Sequence, residues 1–454
     1  MQNKFFWGNS VSSMQTEGGW NEGGKSLSVY DAQKPAKDLS DWHFANDNFH
    51  NFAEDFDLMK DAGMNMYRFQ ISWSRVVKDG TGAWNEAGIE YYDHFIDELI
   101  KRGIEPMICL YHFDMPLYLA EKYNGFLSKE TVKAFVRFGK EMVKRFSAKC
   151  KWWITFNEQN LYSQPDIAFR IAGYVKGDKT TDELYQIIHN VMTAHAQISN
   201  FIHETSDAKI GGMLAYSEVY PASCRPKDVE CARQWDEFIN FSLLDCFAGQ
   251  GYSPAMLKLV KTKHIDMKVR PEELKDIADL KNDFLSFSYY ASTTVDSTNI
   301  TEETVPNYFL IKGKKVNPYI DSTEWGWQID PAGFRNVLNK MYQRYRIPIF
   351  PIENGIGVRE KWDGENIIED DYRIKYHKEH IDAMLKAINK DGVEVLGYLG
   401  WGLIDILSSG GDMEKRYGLV YVNRGNRDLR DMKRVPKKSY FWFKKVIASG
   451  GNDM

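Results

Sequence analysis

Two glutamates, Glu158 and Glu353, occupy the positions in this sequence that are best suited to acid–base chemistry. Each comes at the end of a strongly apolar run and stands beside an asparagine, Asn157 or Asn354. A carboxylate at the edge of a hydrophobic core is costly unless it is paired or used. For one such glutamate, a helix cap or a buried ion pair would be an adequate explanation. Two of them indicate the pair of carboxyl groups that cleaves a glycosidic bond.

In that chemistry one carboxyl group protonates the leaving oxygen, and the other attacks the anomeric carbon or activates a water molecule. The separation between the two groups decides whether the configuration of the sugar is retained or inverted. A sequence carries no such distance, so the residues alone leave both outcomes open.

Further polar and aromatic side chains come at the ends of other apolar runs. His112 follows the run 106–111, Gln15 follows the first run, and Trp401 ends the last. For a single tryptophan, core packing is the simpler explanation. An aromatic ring at such a position also offers an apolar face with a defined orientation, which suits the C–H surface of a sugar ring.

Eight short apolar runs alternate with longer segments of helical periodicity, and this alternation is typical of βαβ units. Runs that are apolar on both faces, such as 106–111, are typical of buried parallel strands. Eight units predict an α/β fold with a single closed (β/α)8 TIM barrel, whose functional residues lie at the carboxyl ends of the strands. A doubly wound sheet with a separate helical domain is the alternative. The runs are residues 5–8, 65–71, 106–111, 152–156, 210–216, 284–290, 347–352 and 395–401.

The length of the chain limits the number of domains, and its charge limits the kinds of partner. At about 150 residues per domain the 454 residues suggest three domains, although a barrel can use such a length in one. No Pro/Gly/Ser-rich linker divides the chain, so we expect residues 1–454 to form a single catalytic domain. With 58 basic and 63 acidic residues the net charge is −5, which provides no basic excess for nucleic acid or an anionic membrane.

The cysteines and the N-terminal segment indicate a compartment. Five cysteines without a C-x-x-C pair argue against a disulfide framework or a zinc site and favour a reducing environment. The first residues have too short an apolar run for a signal peptide, and no stretch reaches the ~18 apolar residues of a membrane span. We expect a cytoplasmic protein without a metal or organic cofactor. The oligomeric state stays open, with a homo-oligomer among the alternatives.

Five motifs together resemble glycoside hydrolase family 1 over essentially the whole chain. The start of the sequence resembles the N-terminal signature of the family, and the two glutamates lie in segments that resemble its two catalytic motifs. The order and spacing of the motifs make the resemblance specific. The segments are F-F-W-G-N-S-V-S-S-M-Q-T-E-G at residues 5–18, Y-R-F-Q-I-S-W-S-R at 67–75, Y-H-F-D-M-P at 111–116, T-F-N-E at 155–158 and I-E-N-G at 352–355.

The resemblance implies a retaining β-glycosidase in which Glu158 is the acid/base and Glu353 the nucleophile. In such enzymes the two carboxyl groups lie roughly 5 Å apart, so that the nucleophile can form a covalent glycosyl-enzyme. Glu158 must start protonated and needs a raised pKa, whereas Glu353 must start ionised. Arg68 and Tyr290 match the family residues that stabilise the ionised nucleophile, although a structural salt bridge is a second explanation for Arg68.

The resemblance also implies contacts to the non-reducing sugar, the glycone. Gln15, His112 and Asn157 match residues that hydrogen-bond its hydroxyl groups, and Asn157 would reach the 2-hydroxyl. Trp401 matches the platform beneath the sugar ring. Trp325 and Trp327 either flank the entrance for the aglycone or are structural.

The segment after Trp401 indicates which sugar is bound. In ordinary β-glucosidases of the family a Glu-Trp pair stands at the positions of Ser408 and Ser409, and that glutamate binds the 4- and 6-hydroxyls. A carboxylate there would repel a 6-phosphate. Here Ser408, Lys415 and Tyr417 resemble the phosphate-binding residues of the 6-phospho-β-glycosidases, with Ser409 as a second candidate for the serine. A lysine and two hydroxyl donors suit a dianion.

The sequence therefore predicts retaining hydrolysis of 6-phospho-β-glycosides, with a small phosphorylated glycoside as the partner. Ser409, where galactosidase-like members carry tryptophan, favours the gluco configuration, and Ser288 resembles the phospho-specific branch. One alternative is a β-glucosidase for non-phosphorylated substrates, and another is a non-catalytic sugar-binding protein of the same fold. The identity of the aglycone stays open.

Overall fold

The computed structural model of the protein describes residues 5–454. Residues 1–4, which belong to the predicted domain and to the segment tested for a signal peptide, lie outside the described residues. Eight parallel strands form one sheet, and each coincides with one of the predicted apolar runs. They are β1 Phe6–Ser10, β2 Met66–Gln70, β3 Glu105–Tyr111, β4 Trp152–Phe156, β5 Lys209–Ala215, β6 Phe284–Tyr289, β7 Ile349–Asn354 and β8 Gly397–Trp401.

The sheet closes on itself. Neighbouring strands follow one another in chain order from β1 to β7, and β8 pairs with β1. Between β7 and β8, Ile349 donates its N–H to the Glu394 carbonyl at 2.9 Å and accepts from the Leu396 N–H at 3.0 Å. The closed TIM barrel is thereby confirmed, and the doubly wound alternative is wrong.

Inward-facing side chains fill the barrel below the site. The strands alternate their side chains between two faces, so that every second residue of an apolar strand contributes to this interior. Phe6 and Trp152 meet edge to face across it, with ring centroids 5.2 Å apart. The interior cluster consists of Phe6, Met66, Met107, Cys109, Trp152, Ile154, Met213, Phe284, Phe350, Ile352 and Leu399.

Amphipathic helices surround the barrel. The helix Glu86–Lys101 is typical, since it buries Tyr92, Phe95, Ile96 and Leu99 on one face. The longest, Thr181–Thr205, begins with a capping box between Thr180 and Glu183, which satisfies the free N–H groups of its first turn. The helices are Ser13–Thr16, Asn48–Asp61, Trp73–Val76, Glu86–Lys101, Leu117–Tyr123, Lys129–Phe146, Ala168–Ile171, Thr181–Thr205, Pro226–Trp235, Ser242–Phe247, Pro254–Thr262, Pro271–Ala278, Phe309–Gly313, Pro331–Tyr345, Asp371–Asp391 and Lys438–Ala448.

Two loops above the barrel are joined by a short ladder. Residues Val358–Arg359, after β7, pair antiparallel with Lys415–Arg416, after β8, so that Arg359 stands opposite Lys415. This ladder positions the segment that the sequence associates with phosphate. Within residues 5–454 the structure contains no helix that is both long and apolar enough to cross a membrane.

Candidate active site

A cavity of about 400 Å³ opens at the carboxyl ends of the barrel strands. Both glutamates singled out in the sequence line it. The predicted glycone residues Gln15, His112, Tyr290 and Trp401 also lie on its wall, together with Ser409 and Tyr417. The residues come from six different strands or the turns that follow them, which is the arrangement of TIM-barrel active sites.

Glu353 is held by a bulge in the sheet. The register between β6 and β7 shifts between Pro351 and Glu353, which places Glu353 opposite Ser288. A bulge of this kind redirects a side chain. Arg68 donates from Nη1 to Oε1 of Glu353, and the Tyr290 hydroxyl donates to Oε2 at 3.0 Å. Both carboxylate oxygens therefore have a donor, one of them cationic.

Glu158 stands just past the end of β4 in a strained backbone conformation. Its φ of 44° and ψ of 57° lie in the left-handed region, which non-glycine residues rarely adopt without support from their surroundings. Ser288 donates its hydroxyl to Oε1 of Glu158 at 2.5 Å. The carboxyl group faces the cavity and is otherwise surrounded by protein.

The two carboxyl groups have different environments. Burial and the negative charge of Glu353 raise the pKa of Glu158 to about 8, so Glu158 is largely protonated at pH 7. Burial also raises the pKa of Glu353, but Arg68 and the Tyr290 hydroxyl counteract it. Overall the pKa of Glu353 is raised, but the Arg68 ion pair and the Tyr290 hydrogen bond favour its ionised form. Among residues 5–454, Glu158 has no cationic partner of this kind. This division gives an acid and an ionised partner side by side.

Asn157 and His112 have hydrogen-bonding capacity to spare. Arg68 donates from Nη2 to Oδ1 of Asn157 at 2.6 Å, while Nδ2 of Asn157 and Nδ1 of His112 are buried without a partner among the described residues. Buried polar atoms without partners are rare in proteins. Their positions at strand ends make them candidates for contact with a polyol ligand.

Gln15 and Trp401 form another part of the wall. The Gln15 side chain donates to the Leu407 carbonyl at 2.7 Å and accepts from the Ser12 hydroxyl at 2.8 Å, which fixes its orientation. The Trp401 ring stacks near His112, with 5.5 Å between ring centroids and 29° between planes. Trp401 therefore contributes a fixed, flat apolar surface beside polar donors.

Lys415 lies behind the wall in an aromatic environment. Its Nζ is 4.0 Å from the centroid of the Trp327 ring, 4.6 Å from Trp325 and 5.4 Å from Tyr417. The residue is buried, and burial lowers the pKa of its ammonium group to about 8. In the part of the chain that the structure describes, Lys415 forms no ion pair with a carboxylate. It is a cation that lacks an anionic partner.

The two serines have different surroundings. Ser409 is exposed and lines the cavity. Ser408 is buried, and its hydroxyl oxygen accepts a hydrogen bond from the Asp412 N–H at 2.9 Å. Ser409 thus has free access to a ligand in the cavity, whereas Ser408 stabilises the loop between β8 and Lys415.

Comparison with known proteins places this geometry in a family. Residues 1–452 match the sequence model of the family described as Glycosyl hydrolase family 1. The chain belongs to this family. As a family 1 glycosyl hydrolase it is a glycoside hydrolase, which confirms the resemblance that the five motifs carry.

Several family 1 relatives match along their whole length. The aryl-phospho-β-D-glucosidase BglA of Bacillus subtilis is 37% identical over 479 residues, which cover 100% of this chain and 99% of the relative. The 6-phospho-β-glucosidase AscB of Escherichia coli is 35% identical, and the aligned region covers 99% of this chain and 98% of AscB. The solved structure of a family 1 β-glucosidase from Thermotoga maritima matches with a TM-score of 0.87 at 27% identity, covering 99% and 98% of the two chains.

Two contacts in this family 1 site were not predicted from the sequence. Ser288 was noted for its residue type, but its bond to Glu158 was not foreseen. Its position in β6, two residues before Tyr290, which directly follows the strand, is a usable signal, because side chains two apart along a strand direction face the same side. Trp325 lies against Lys415, and Trp327 both lines the cavity and lies against the same ammonium group. Nothing in the sequence near Trp325 indicates that contact.

Proposed function

We propose that this family 1 enzyme hydrolyses 6-phospho-β-glucosides to glucose 6-phosphate and an aglycone, with retention of configuration. The observation that carries the proposal is the buried Lys415 ammonium beside the cavity, which forms no ion pair with a carboxylate among residues 5–454. A buried cation is costly unless it is paired, and a phosphate dianion on the substrate supplies the partner. The names of the two relatives, an aryl-phospho-β-D-glucosidase and a 6-phospho-β-glucosidase, agree with this assignment.

Glu353 is the nucleophile and Glu158 the acid/base in the proposed reaction. The Glu353 carboxylate attacks the anomeric carbon while the bond to the aglycone oxygen breaks, and the Glu158 proton passes to that oxygen. This step leaves a glycosyl ester on Glu353. Glu158, now ionised, then takes a proton from a water molecule, whose oxygen attacks the anomeric carbon and releases Glu353.

The remaining predicted residues bind the glycone in this proposal. The free Nδ2 of Asn157 donates to the 2-hydroxyl, and His112 and Gln15 bind the other hydroxyl groups. Trp401 lies beneath the ring. Arg68 and Tyr290 keep Glu353 ionised until the attack, and hydrogen bonds to the 2-hydroxyl strengthen as positive charge develops on the ring.

The phosphate is bound by Lys415, Tyr417 and a serine. Burial raises the pKa of Tyr417, so that its hydroxyl stays a neutral donor at all physiological pH values. Ser409 reaches the cavity, and the Ser408 hydroxyl hydrogen is available if the phosphate lies close to the loop. Charge-assisted hydrogen bonds of this type contribute about 1.5–3 kcal/mol each.

We further propose that the enzyme works in the cytoplasm on a small phosphorylated glycoside, with neither nucleic acid nor a membrane as partner. All five cysteines are free thiols in the structure, which agrees with a reducing compartment. A sugar phosphate is a charged metabolite that does not cross membranes unaided, so its hydrolase belongs in the compartment where it is formed.

Kinetics on paired aryl β-glucosides with and without a 6-phosphate test the proposed function. We expect kcat/KM to be at least about a hundredfold higher for the phosphorylated member, because even two of the three proposed charge-assisted bonds are worth about 3 kcal/mol. Equal or better turnover of the plain glucoside would identify a β-glucosidase for non-phosphorylated substrates instead. Failure to release any aglycone would favour the non-catalytic sugar-binding protein.

A lysine variant links the preference to the site. Lys415→Met keeps an unbranched side chain that is one atom shorter and removes the charge, and we expect KM for the phosphorylated substrate to rise about ten- to a hundredfold. Lys433→Met is the matched control, since the Lys433 ammonium lies 5.2 Å from the Trp362 ring centroid, outside the cavity wall. The control is expected to leave both substrates unaffected.

A further inference from the structure

Trp325 contacts two cations at once. The short ladder between Val358–Arg359 and Lys415–Arg416 sets Arg359 opposite Lys415. The Arg359 guanidinium carbon lies 4.9 Å from the centroid of the Trp325 ring, and the Lys415 ammonium lies 4.6 Å from it. The electron-rich face of tryptophan attracts cations, so that the ring helps to position both side chains.

The nearby carboxylates form ion pairs with Arg359. Its guanidinium group pairs with Glu324 at 3.6 Å, Asp412 at 3.3 Å and Glu414 at 3.5 Å. These acids are close enough in the chain to compete for Lys415, yet they form ion pairs with the arginine. The aromatic rings therefore stabilise the Lys415 ammonium without neutralising it, and its charge stays available to an anion.

Gly357 provides the space in which the Lys415 side chain lies. A Cβ atom at residue 357 would stand 2.7 Å from Cε of Lys415 and 3.0 Å from Cζ of Tyr417, closer than such atoms approach. The Gly357 carbonyl also accepts the Trp325 indole N–H at 3.1 Å. One glycine thus orients the ring and leaves room for the lysine.

We propose that Trp325 and Gly357 are positioning residues that hold the Lys415 ammonium, un-neutralised, where the 6-phosphate of the substrate binds. This inference rests on the proposed function and assigns its specificity to two residues that need not touch the substrate. A lysine has a long, flexible side chain. Its contribution to phosphate recognition therefore depends on neighbours that confine it before the substrate arrives.

Three variants test the inference. Trp325→Leu removes the ring, and Trp325→Phe keeps a ring but loses the indole N–H. Gly357→Ala displaces the Lys415 side chain, together with the Tyr417 ring, without changing a charge. The readout is the ratio of kcat/KM for an aryl 6-phospho-β-glucoside to that for the plain aryl β-glucoside. We expect the ratio to fall tenfold or more in Trp325→Leu and Gly357→Ala, mainly through KM for the phosphorylated substrate, and to fall less in Trp325→Phe.

Two matched controls share the chemistry of the tested residues. Trp362 carries the Lys433 ammonium over its ring and donates its indole N–H to the Asn366 carbonyl at 2.9 Å. A Cβ atom at Gly425 would meet nothing closer than 3.6 Å. Trp362→Leu and Gly425→Ala are expected to keep the ratio within twofold of the wild type.

The outcomes separate this inference from the proposed function. A wild-type enzyme without preference for the phosphorylated substrate would overturn both. A wild-type preference that survives unchanged in Trp325→Leu or Gly357→Ala would overturn the inference alone, as would an equal loss on both substrates, which is the sign of a general structural role. Thermal melting identifies a variant that fails to fold. If Trp325→Leu fails, the ratio in Trp325→Phe and Gly357→Ala decides, where the new Cβ of the alanine displaces the Tyr417 ring as well as Lys415.

Discussion

Ser288 lies directly opposite Glu353 in the register of strands β6 and β7, and its hydroxyl donates to Glu158 at 2.5 Å. One serine therefore connects the strand that carries one carboxyl group with the side chain of the other. The relative position of the two groups follows from the register of the barrel. It does not depend on a mobile loop.

Replacing Ser288 with alanine is expected to move the alkaline limb of the pH profile of kcat/KM upwards. The serine hydroxyl lowers the pKa of Glu158 by stabilising its ionised form, so the acid stays protonated to higher pH when that bond is lost. We expect kcat to fall by less than the ~10²-fold or more that loss of a general acid costs. Ser288→Thr, which keeps the hydroxyl, is the control. An alkaline limb that stays in place would contradict the assignment.

Neutralising Glu353 is expected to lower the pKa of Glu158 from about 8, since the charge of Glu353 helps to raise it. The pKa of Glu158 can be followed in Glu353→Gln by NMR with carboxyl-labelled glutamate, which needs no turnover. Glu353→Asp keeps the negative charge and is expected to leave the Glu158 pKa raised. If both variants gave the same value, burial alone would explain the shift.

Removing the Arg68 charge is expected to move the acidic limb of the pH profile of kcat/KM to higher pH, which narrows the profile. The guanidinium group counteracts the effect of burial on Glu353, so Arg68→Met raises the pKa of the nucleophile and moves the acidic limb to higher pH. We expect kcat to fall about 10²- to 10³-fold, as for loss of one charge-stabilising donor. Arg68→Lys should restore part of both effects.

A second buried arginine provides the control for that experiment. Arg434 pairs with Asp55 at 2.9 Å, and both side chains are buried. Arg434→Met is expected to lower stability, because it leaves a buried carboxylate unpaired, without moving either limb of the profile. A shift of the acidic limb in this variant would show that the effect of Arg68→Met is indirect.

The two substrates of the paired assay are expected to respond differently to high pH. The Glu158 acid and the Lys415 cation both have a pKa of about 8, and only the phosphorylated substrate needs both protons. Above pH 8 the logarithm of kcat/KM for the phosphorylated substrate should fall with a limiting slope of about two per pH unit. For the plain glucoside the slope should be about one. The substrate phosphate is already a dianion there. Equal slopes in the wild type, or a difference that persists in Lys415→Met, would contradict this role for Lys415.

The sequence was sufficient for the barrel and insufficient for parts of the site. Each strand is a continuous apolar run with a polar residue at its end, so that periodicity and motif order predicted all eight strands and both glutamates. That residues 1–454 form a single domain, and that the binding residues act as assigned, stay predictions.

Neither periodicity nor motif order in the sequence indicates the contacts around Lys415. They depend on two-residue strands from different loops, which have no periodicity, and on a bulge that shifts Glu353 relative to Ser288. Such features arise from long-range pairing in the folded chain. The residue types of Trp325 and Gly357 were visible, but their neighbours were not.

The unpaired ammonium of Lys415 also bears on how a catalytic cycle ends. In the proposed function the cation, which lies behind the cavity wall, binds the phosphate of the sugar. After the glycosidic bond is cleaved, the aglycone carries no ionic contact to Lys415, whereas the sugar phosphate keeps one. We therefore expect release of the charged product to be slower than release of the aglycone, and inorganic phosphate or the sugar phosphate to inhibit the enzyme. A site built to select an anion is, by the same contact, a site that responds to the concentration of what it makes.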